Sequence, residues 1–132
     1  MLRKATRAVA RAYDEALAAH GMTTAQFSIL RHVSRGEPLA LSRLAEQLEM
    51  DRTSLYRALA PIEKHGWVSV KPGSGRTKLA TLTPAGRAAM QAAEPDWEAV
   101  QIRVETGMGM ELLRGLDLAL QKLVHSAEGE QA

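Results

Sequence analysis

Apolar residues recur at helical intervals almost from the first residue of this chain, and the spacing turns strand-like in only one place. From Leu2 to about Ala19, Val9, Ala12, Tyr13, Ala16 and Leu17 fall on one side while Arg3, Arg7 and Arg11 lie elsewhere, which predicts an amphipathic helix stopped by Gly21. Thr23-Thr24-Ala25-Gln26 then matches a capping box, in which the Thr hydroxyl and the Gln amide satisfy each other's backbone donors. It opens a second helix through Phe27, Leu30 and Val33 to Gly36-Glu37-Pro38. Leu41, Leu44, Ala45 and Leu48 repeat the i, i+3, i+4, i+7 spacing of a helix buried on one face. Glu49-Met50 leaves room for a short turn. Asp51 is a good N-cap for the next helix, whose buried stripe is Leu55, Leu59 and Ile62. Pro61 removes a donor and crowds the Arg57 carbonyl, so a bend is expected there.

Gly66 stands where a left-handed residue ends a helix, and beyond it the period changes. Trp67 to Lys71 reads as a strand, Pro72-Gly73-Ser74-Gly75 is turn chemistry, and Arg76 to Leu82 returns as a partner strand. Thr83 as N-cap with Pro84 at the first helical position starts a further helix, expected to run past Gln101, to bend at Pro95, and to end at Gly107 and Gly109. A last helix, from about Met110, sets Leu113, Leu116, Leu120 and Leu123 at alternating steps of three and four, like a coiled-coil seam.

The predicted fold is mainly α with a small two- or three-stranded β wing. Helix, turn, helix and ribbon over residues 39–83 make a winged helix-turn-helix, framed by N- and C-terminal helices. Residues 1–132 are read as one domain, with 22–87 the DNA-binding region and 1–20 and 88–127 the dimerisation helices. One small middle has too little core to cover helical arms at both ends. A homodimer is therefore expected, with Leu2, Val9, Leu113, Leu116, Leu120 and Leu123 at its interface.

Charge sharpens this picture. The net +2 of the 132 residues conceals +5 over residues 31–87 and −5 over residues 88–132, so the basic part coincides with the helix-turn-helix and ribbon. Opposite the buried stripe of the second helix of the pair lie Arg52, Thr53, Tyr56, Arg57 and Lys64, suited to base edges and phosphates in a major groove. Arg76 and Lys78 lie at or just after the ribbon tip, where an arginine suits the concentrated negative potential of a minor groove. Ser42, on the first helix of the pair, is counted with these candidates.

Catalytic chemistry finds little support. His20, His32, His65 and His125 show no ligand spacing, and there is no Gly-rich phosphate loop, nucleophile elbow or His-Glu-x-x-His. An enzyme, a metal site and a cofactor are not expected. Zero cysteines exclude a thiol-based sensor and a disulfide scaffold. No stretch approaches the roughly 20 apolar residues that span a bilayer, and the N-terminal residues lack a signal-peptide core, so a cytoplasmic protein without membrane contact is expected.

Several runs together resemble the MarR family of bacterial winged-helix repressors. They are Thr24-Ala25-Gln26-Phe27-Ser28-Ile29-Leu30, Leu44-Ala45-Glu46-Gln47-Leu48, Asp51-Arg52-Thr53-Ser54-Leu55-Tyr56-Arg57, Glu63-Lys64-His65-Gly66-Trp67-Val68 and Leu82-Thr83-Pro84-Ala85-Gly86. The resemblance covers nearly the whole chain. It implies a homodimer binding double-stranded DNA at a roughly palindromic operator, with Arg52, Thr53, Ser54, Tyr56 and Arg57 in the major groove and Arg76 in the minor groove. It further implies release by a small aromatic or phenolic compound in a cleft that Tyr13, Leu17, His20, Phe27 and Trp97 would line. The chain departs from the family in having Ser74 where Asp often braces the wing arginine, a wing about two residues shorter, and Ala40 where a Ser or Thr cap is common. From the residues alone, nonspecific nucleic-acid binding and a protein-interaction role for the winged helix stay open as alternatives.

Overall fold

Element boundaries follow local chemistry that can be named residue by residue. In the computed structural model, which describes residues 1–129, the helices are α1 (Leu2–Ala18), α2 (Thr24–Gly36), α3 (Leu41–Leu48), α4 (Arg52–Lys64), α5 (Pro84–Met108) and α6 (Met110–Ala127). The strands are β1 (Leu39–Ala40), β2 (Val68–Pro72) and β3 (Lys78–Leu82). The capping box forms as predicted: Thr23 Oγ1 accepts the Gln26 N–H at 3.1 Å and Gln26 Oε1 accepts the Thr23 N–H at 3.0 Å. Asp51 Oδ1 accepts the Ser54 N–H at 2.7 Å and starts α4. Ala40, as the sequence suggests, gives α3 no side-chain cap, and α3 closes on a left-handed Glu49 with φ 54°.

The end of α4 is a Schellman motif. Gly66 takes φ 78°, its N–H reaches the Glu63 carbonyl at 2.9 Å, and the Trp67 N–H reaches Ile62 at 3.2 Å. Pro61 sits in the last turn, and the helix runs on through it to Lys64. The chain then turns directly into β2.

The sheet has three strands in the order β1-β3-β2, all antiparallel. Leu39 faces Ala80 and Ala40 faces Leu79, so the link from α2 to α3 supplies an edge strand that its two residues could not announce by alternation. The ribbon is shorter than the sequence suggests. Trp67, Arg76 and Thr77 fall outside the strands, Pro72, read as turn, instead ends β2 opposite Lys78, and Arg76 belongs to the tip rather than to β3.

By contacts the chain divides into one unit from Met1 to Trp97 and a second from Glu98 onward. The core of the first gathers Leu17 of α1, Phe27 and Leu30 of α2, Leu44 of α3, and Leu59 and Ile62 of α4, all essentially inaccessible. In the second, α6 has no buried residue, and its leucines are largely open. α5 takes in both Pro95 and Gly107, the latter read from sequence as a terminus, and stops at Gly109 with φ 79°. Residues 130–132 of the expected single domain lie outside the described residues.

The junction of wing and α5 rests on backbone packed against backbone. Thr83 Oγ1 donates to the Gly66 carbonyl at 2.5 Å and accepts the Gly86 N–H at 2.9 Å, while the Thr83 N–H reaches the Trp67 carbonyl at 3.0 Å. A Cβ on Gly86 would run into that Trp67 carbonyl. Gly86→Ala is therefore expected to lower stability by about 1–3 kcal/mol or more, seen as a fall in Tm of several degrees. An unchanged Tm would show that the junction has slack.

Candidate nucleic-acid interface

α4 presents two chemically distinct faces because its stripe of Leu55, Leu59 and Ile62 is sealed into the core. Arg52, Thr53, Ser54, Arg57 and Lys64 are left exposed, and Tyr56 keeps 40% of its surface open. The structure draws the predicted residues into two sets. Ser42, Arg52, Tyr56, Arg76 and Lys78, with Leu41 and Thr77, line a hollow of about 210 Å³ where the start of α3, α4 and the wing meet. Thr53, Ser54, Arg57 and Lys64 lie along α4 outside it. The Lys78 ammonium stands 5.7 Å from the Tyr56 ring centroid, within cation–π range, so the wing strand is linked to the recognition helix. Thr77 escaped the sequence reading, since nothing but the turn geometry brings it to the hollow.

The cations of this face are not neutralised from within. Among the described residues the carboxylates in contact with basic side chains are Asp96, with His20, and Glu37, with Arg87, and neither contact uses Arg52, Arg57, Lys64, Arg76 or Lys78. A surface that holds cations without internal partners attracts polyanions, and it releases condensed counterions when phosphates replace them.

Asp51 is the acidic exception at the head of α4, and its role is local. The Ser54 backbone hydrogen bond, followed by that of the Ser54 side chain, holds its carboxyl below the ordinary aspartate value. The ionised form is thus the one favoured by folding. The cap's contribution is complete above the unfolded-state pKa and fades as pH falls through the lower folded-state one. Asp51→Asn, which can still accept a hydrogen bond but does not titrate, is expected to flatten the acid limb of a stability-against-pH curve. Parallel curves for the two proteins would remove Asp51 from that limb.

A second concavity lies in the same unit and shares no lining residue with the first. It measures about 370 Å³ and is walled by Tyr13 of α1, Phe27 of α2 and Trp97 of α5, with Arg31, His32 and Arg35 along one side. The Tyr13 and Phe27 ring centroids lie 5.8 and 5.7 Å from that of Trp97, and the Arg31 guanidinium sits 4.4 Å over the Trp97 ring. Three of the five residues expected here do line the cleft. Leu17 does not, because the last turn of α1 points it into the core, where it is 0% exposed. Nor does His20, whose Nε2 lies 2.6 Å from Asp96 Oδ2. Arg31 was legible in principle, being four residues after Phe27 on the same helical face. His32 meets the Ser28 carbonyl at 2.7 Å, and His65 stacks on Trp67 with ring centroids 4.4 Å apart. Among the described residues no His, Cys, Asp and Glu cluster could hold a metal ion, and no helix is long and apolar enough to cross a membrane.

Known proteins share this arrangement. The sequence profile of the MarR family matches residues 20–76. The crystal structure of the M. tuberculosis transcriptional regulator MosR is 37% identical and superposes with a TM-score of 0.78 over 96% of this chain and 93% of that one. MosR in complex with DNA is 35% identical, with a TM-score of 0.82 over 96% of this chain and 94% of that one. An HTH-type transcriptional regulator of Bacillus cereus is 34% identical over 88 residues, which are 67% of this chain; the match spans 59% of that relative's own length. With the family's sequence pattern over residues 20–76 and sequence and fold likeness to MosR over nearly all its length, the chain belongs to the MarR family of winged helix-turn-helix transcriptional regulators.

Proposed function

We propose that the protein is a homodimeric repressor that reads a pseudo-palindromic operator in double-stranded DNA, one α4 in each of two successive major grooves. The observation that carries this reading is the convergence of Ser42, Arg52, Tyr56, Arg76 and Lys78 on one hollow, beside further exposed cations with no carboxylate partner. The MosR complex with DNA, at 35% identity, supports the same partner. In this reading residues 22–87 bind DNA, residues 1–20 and 88–127 hold the dimer, and the protein acts in the cytoplasm beside the chromosome. Repression is relieved by a small aromatic or phenolic compound entering the cleft of Tyr13, Phe27 and Trp97. Such a ligand acts only by preferring a spacing of the two α4 helices that misfits grooves about 34 Å apart.

Footprinting with the full chain, on duplexes it selects from random sequence, tests the proposal. The expected result is a symmetric site whose halves lie about one helical turn apart. Coverage without sequence preference, lost steeply with salt, would instead make the protein a nonspecific nucleic-acid binder. No binding at physiological salt would turn the winged helix toward a protein partner.

A further inference from the structure

Among the described residues Glu37 is the acidic side chain that bonds the base of the wing. Its Oε1 accepts the Leu82 backbone N–H at 3.2 Å, and one terminal nitrogen of Arg87 lies 2.7 Å from Oε1 and 2.6 Å from Oε2. The Glu37 side chain is only 18% exposed. The ladder explains the position. Leu39 faces Ala80, so a strand continued backward would set residue 37 opposite Leu82, but β1 begins only at Leu39. The Glu37 side-chain carboxylate, in place of a backbone carbonyl of a continued ladder, accepts the Leu82 N–H. Charge-assisted bonds of this kind are roughly twice as strong as neutral ones.

Three elements meet at that carboxylate. Glu37 ends α2 and stands two residues before β1, which feeds directly into α3; Leu82 is the last residue of β3, which carries the wing tip back; Arg87 lies in the first turn of α5. We infer that Glu37 and Arg87 are positioning residues for DNA binding, a clamp that fixes the wing relative to the helix-turn-helix and so sets where Arg76 arrives. Neither touches DNA. Arg87 is basic, yet its charge is spent inside the protein, which distinguishes it from Arg52, Arg57 and Arg76. This inference rests on the DNA-binding reading.

The test measures binding of the full chain to the duplex recovered by selection with the wild-type protein, alongside the motion of a probe at the wing. Since the chain contains no cysteine, a spin label on Ser74→Cys reports the tip alone. Glu37→Gln and Arg87→Ala are each expected to raise the label's mobility and to weaken binding about tenfold, with Arg87→Lys recovering part of the loss. Adding Arg76→Ala to Glu37→Gln should cost less than Arg76→Ala costs alone, because a misplaced arginine has less to lose. Unchanged tip mobility, or additive losses, would overturn the clamp and leave a pair that serves stability only. Tighter binding by Glu37→Gln would mean that the released Arg87 itself meets phosphate, which also overturns it. Should the wild type select no duplex, the DNA reading fails, while the mobility change still decides whether the clamp holds the wing.

Discussion

Aspartate at both Leu116 and Leu120 is expected to leave the protein monomeric and to abolish operator binding at concentrations where the wild type saturates its site. α6 is 18 residues long and buries none of them, although Leu116, Leu120 and Leu123 stand on one seam at 41%, 37% and 47% exposure. A helix of that length showing such a stripe is marginal by itself in water and needs a surface to cover the stripe. The half of each leucine still accessible contributes about 1 kcal/mol when covered. In a two-fold interface each substitution counts twice, so two of them remove about 3–6 kcal/mol before the added charge is considered. That corresponds to about 10²- to 10⁴-fold in the dimerisation constant. Sedimentation velocity reads the outcome. Leu118→Asp, on the far side of the same helix, should leave the dimer intact; equal disruption by it would overturn the seam, as would a double variant that still sediments as wild type.

What the sequence revealed and what it concealed divide along sequence distance. Thr23 with Gln26, Asp51 with Ser54 and Thr83 with Gly86 are satisfied within three residues, and the chemistry of each is visible in the string of letters. The stripes of α3 and α4 were equally legible, because helical period survives any tertiary context that buries one face. β1 was hidden. Two residues carry no alternation, and their pairing partners come 40 residues later. The same applies to Glu37 and Arg87, separated by 50 residues, and to His20 and Asp96, separated by 76. For the cleft, residue type was a good guide to Tyr13, Phe27 and Trp97 but a poor one to Leu17: an apolar residue one turn beyond Tyr13 fits a cleft wall or a core equally well until the chain's turn at Gly21 is known. Around α4 and the wing, the string of letters could not show that Ser42, Tyr56 and Lys78 share one hollow, because they come from three separate elements.

The wing raises a mechanical question that the shared hollow helps to resolve. With Ser74, not an acid, two residues before it and no ion pair of its own among the described residues, Arg76 depends on the turn for its placement. That turn is tied down. The Gly73 N–H meets the Thr77 carbonyl at 2.8 Å, the Thr77 N–H meets Ser74 at 3.1 Å, and Lys78 leans toward Tyr56 on α4. The wing is thus linked to α4 by the Lys78 cation and the Tyr56 ring, and at its base to the end of α2 and the start of α5 by the Glu37 carboxylate.

Substituting Arg57 or Arg52 by alanine is expected to produce the steepest loss of sequence discrimination of any change on this face. A bidentate arginine–guanine contact is worth about 1–3 kcal/mol of discrimination. A homodimer on a symmetric site makes it twice, so a single substitution should weaken specific binding by about 2–6 kcal/mol and leave binding to unrelated duplex almost untouched. The gap between specific and nonspecific binding for such proteins is about 4–10 kcal/mol, so the Arg52→Ala, Arg57→Ala double variant should lie close to its nonspecific floor. Arg76→Ala should behave differently: weaker binding to every duplex, a shallower dependence on salt by about one ion per protomer, and a specificity ratio nearly unchanged. Titrations against the selected site and a scrambled duplex at three salt concentrations separate the two patterns. If Arg57→Ala lowered both affinities together, its guanidinium would be assigned to the phosphate backbone, and the reading of bases would pass to Arg52, Thr53 and Tyr56.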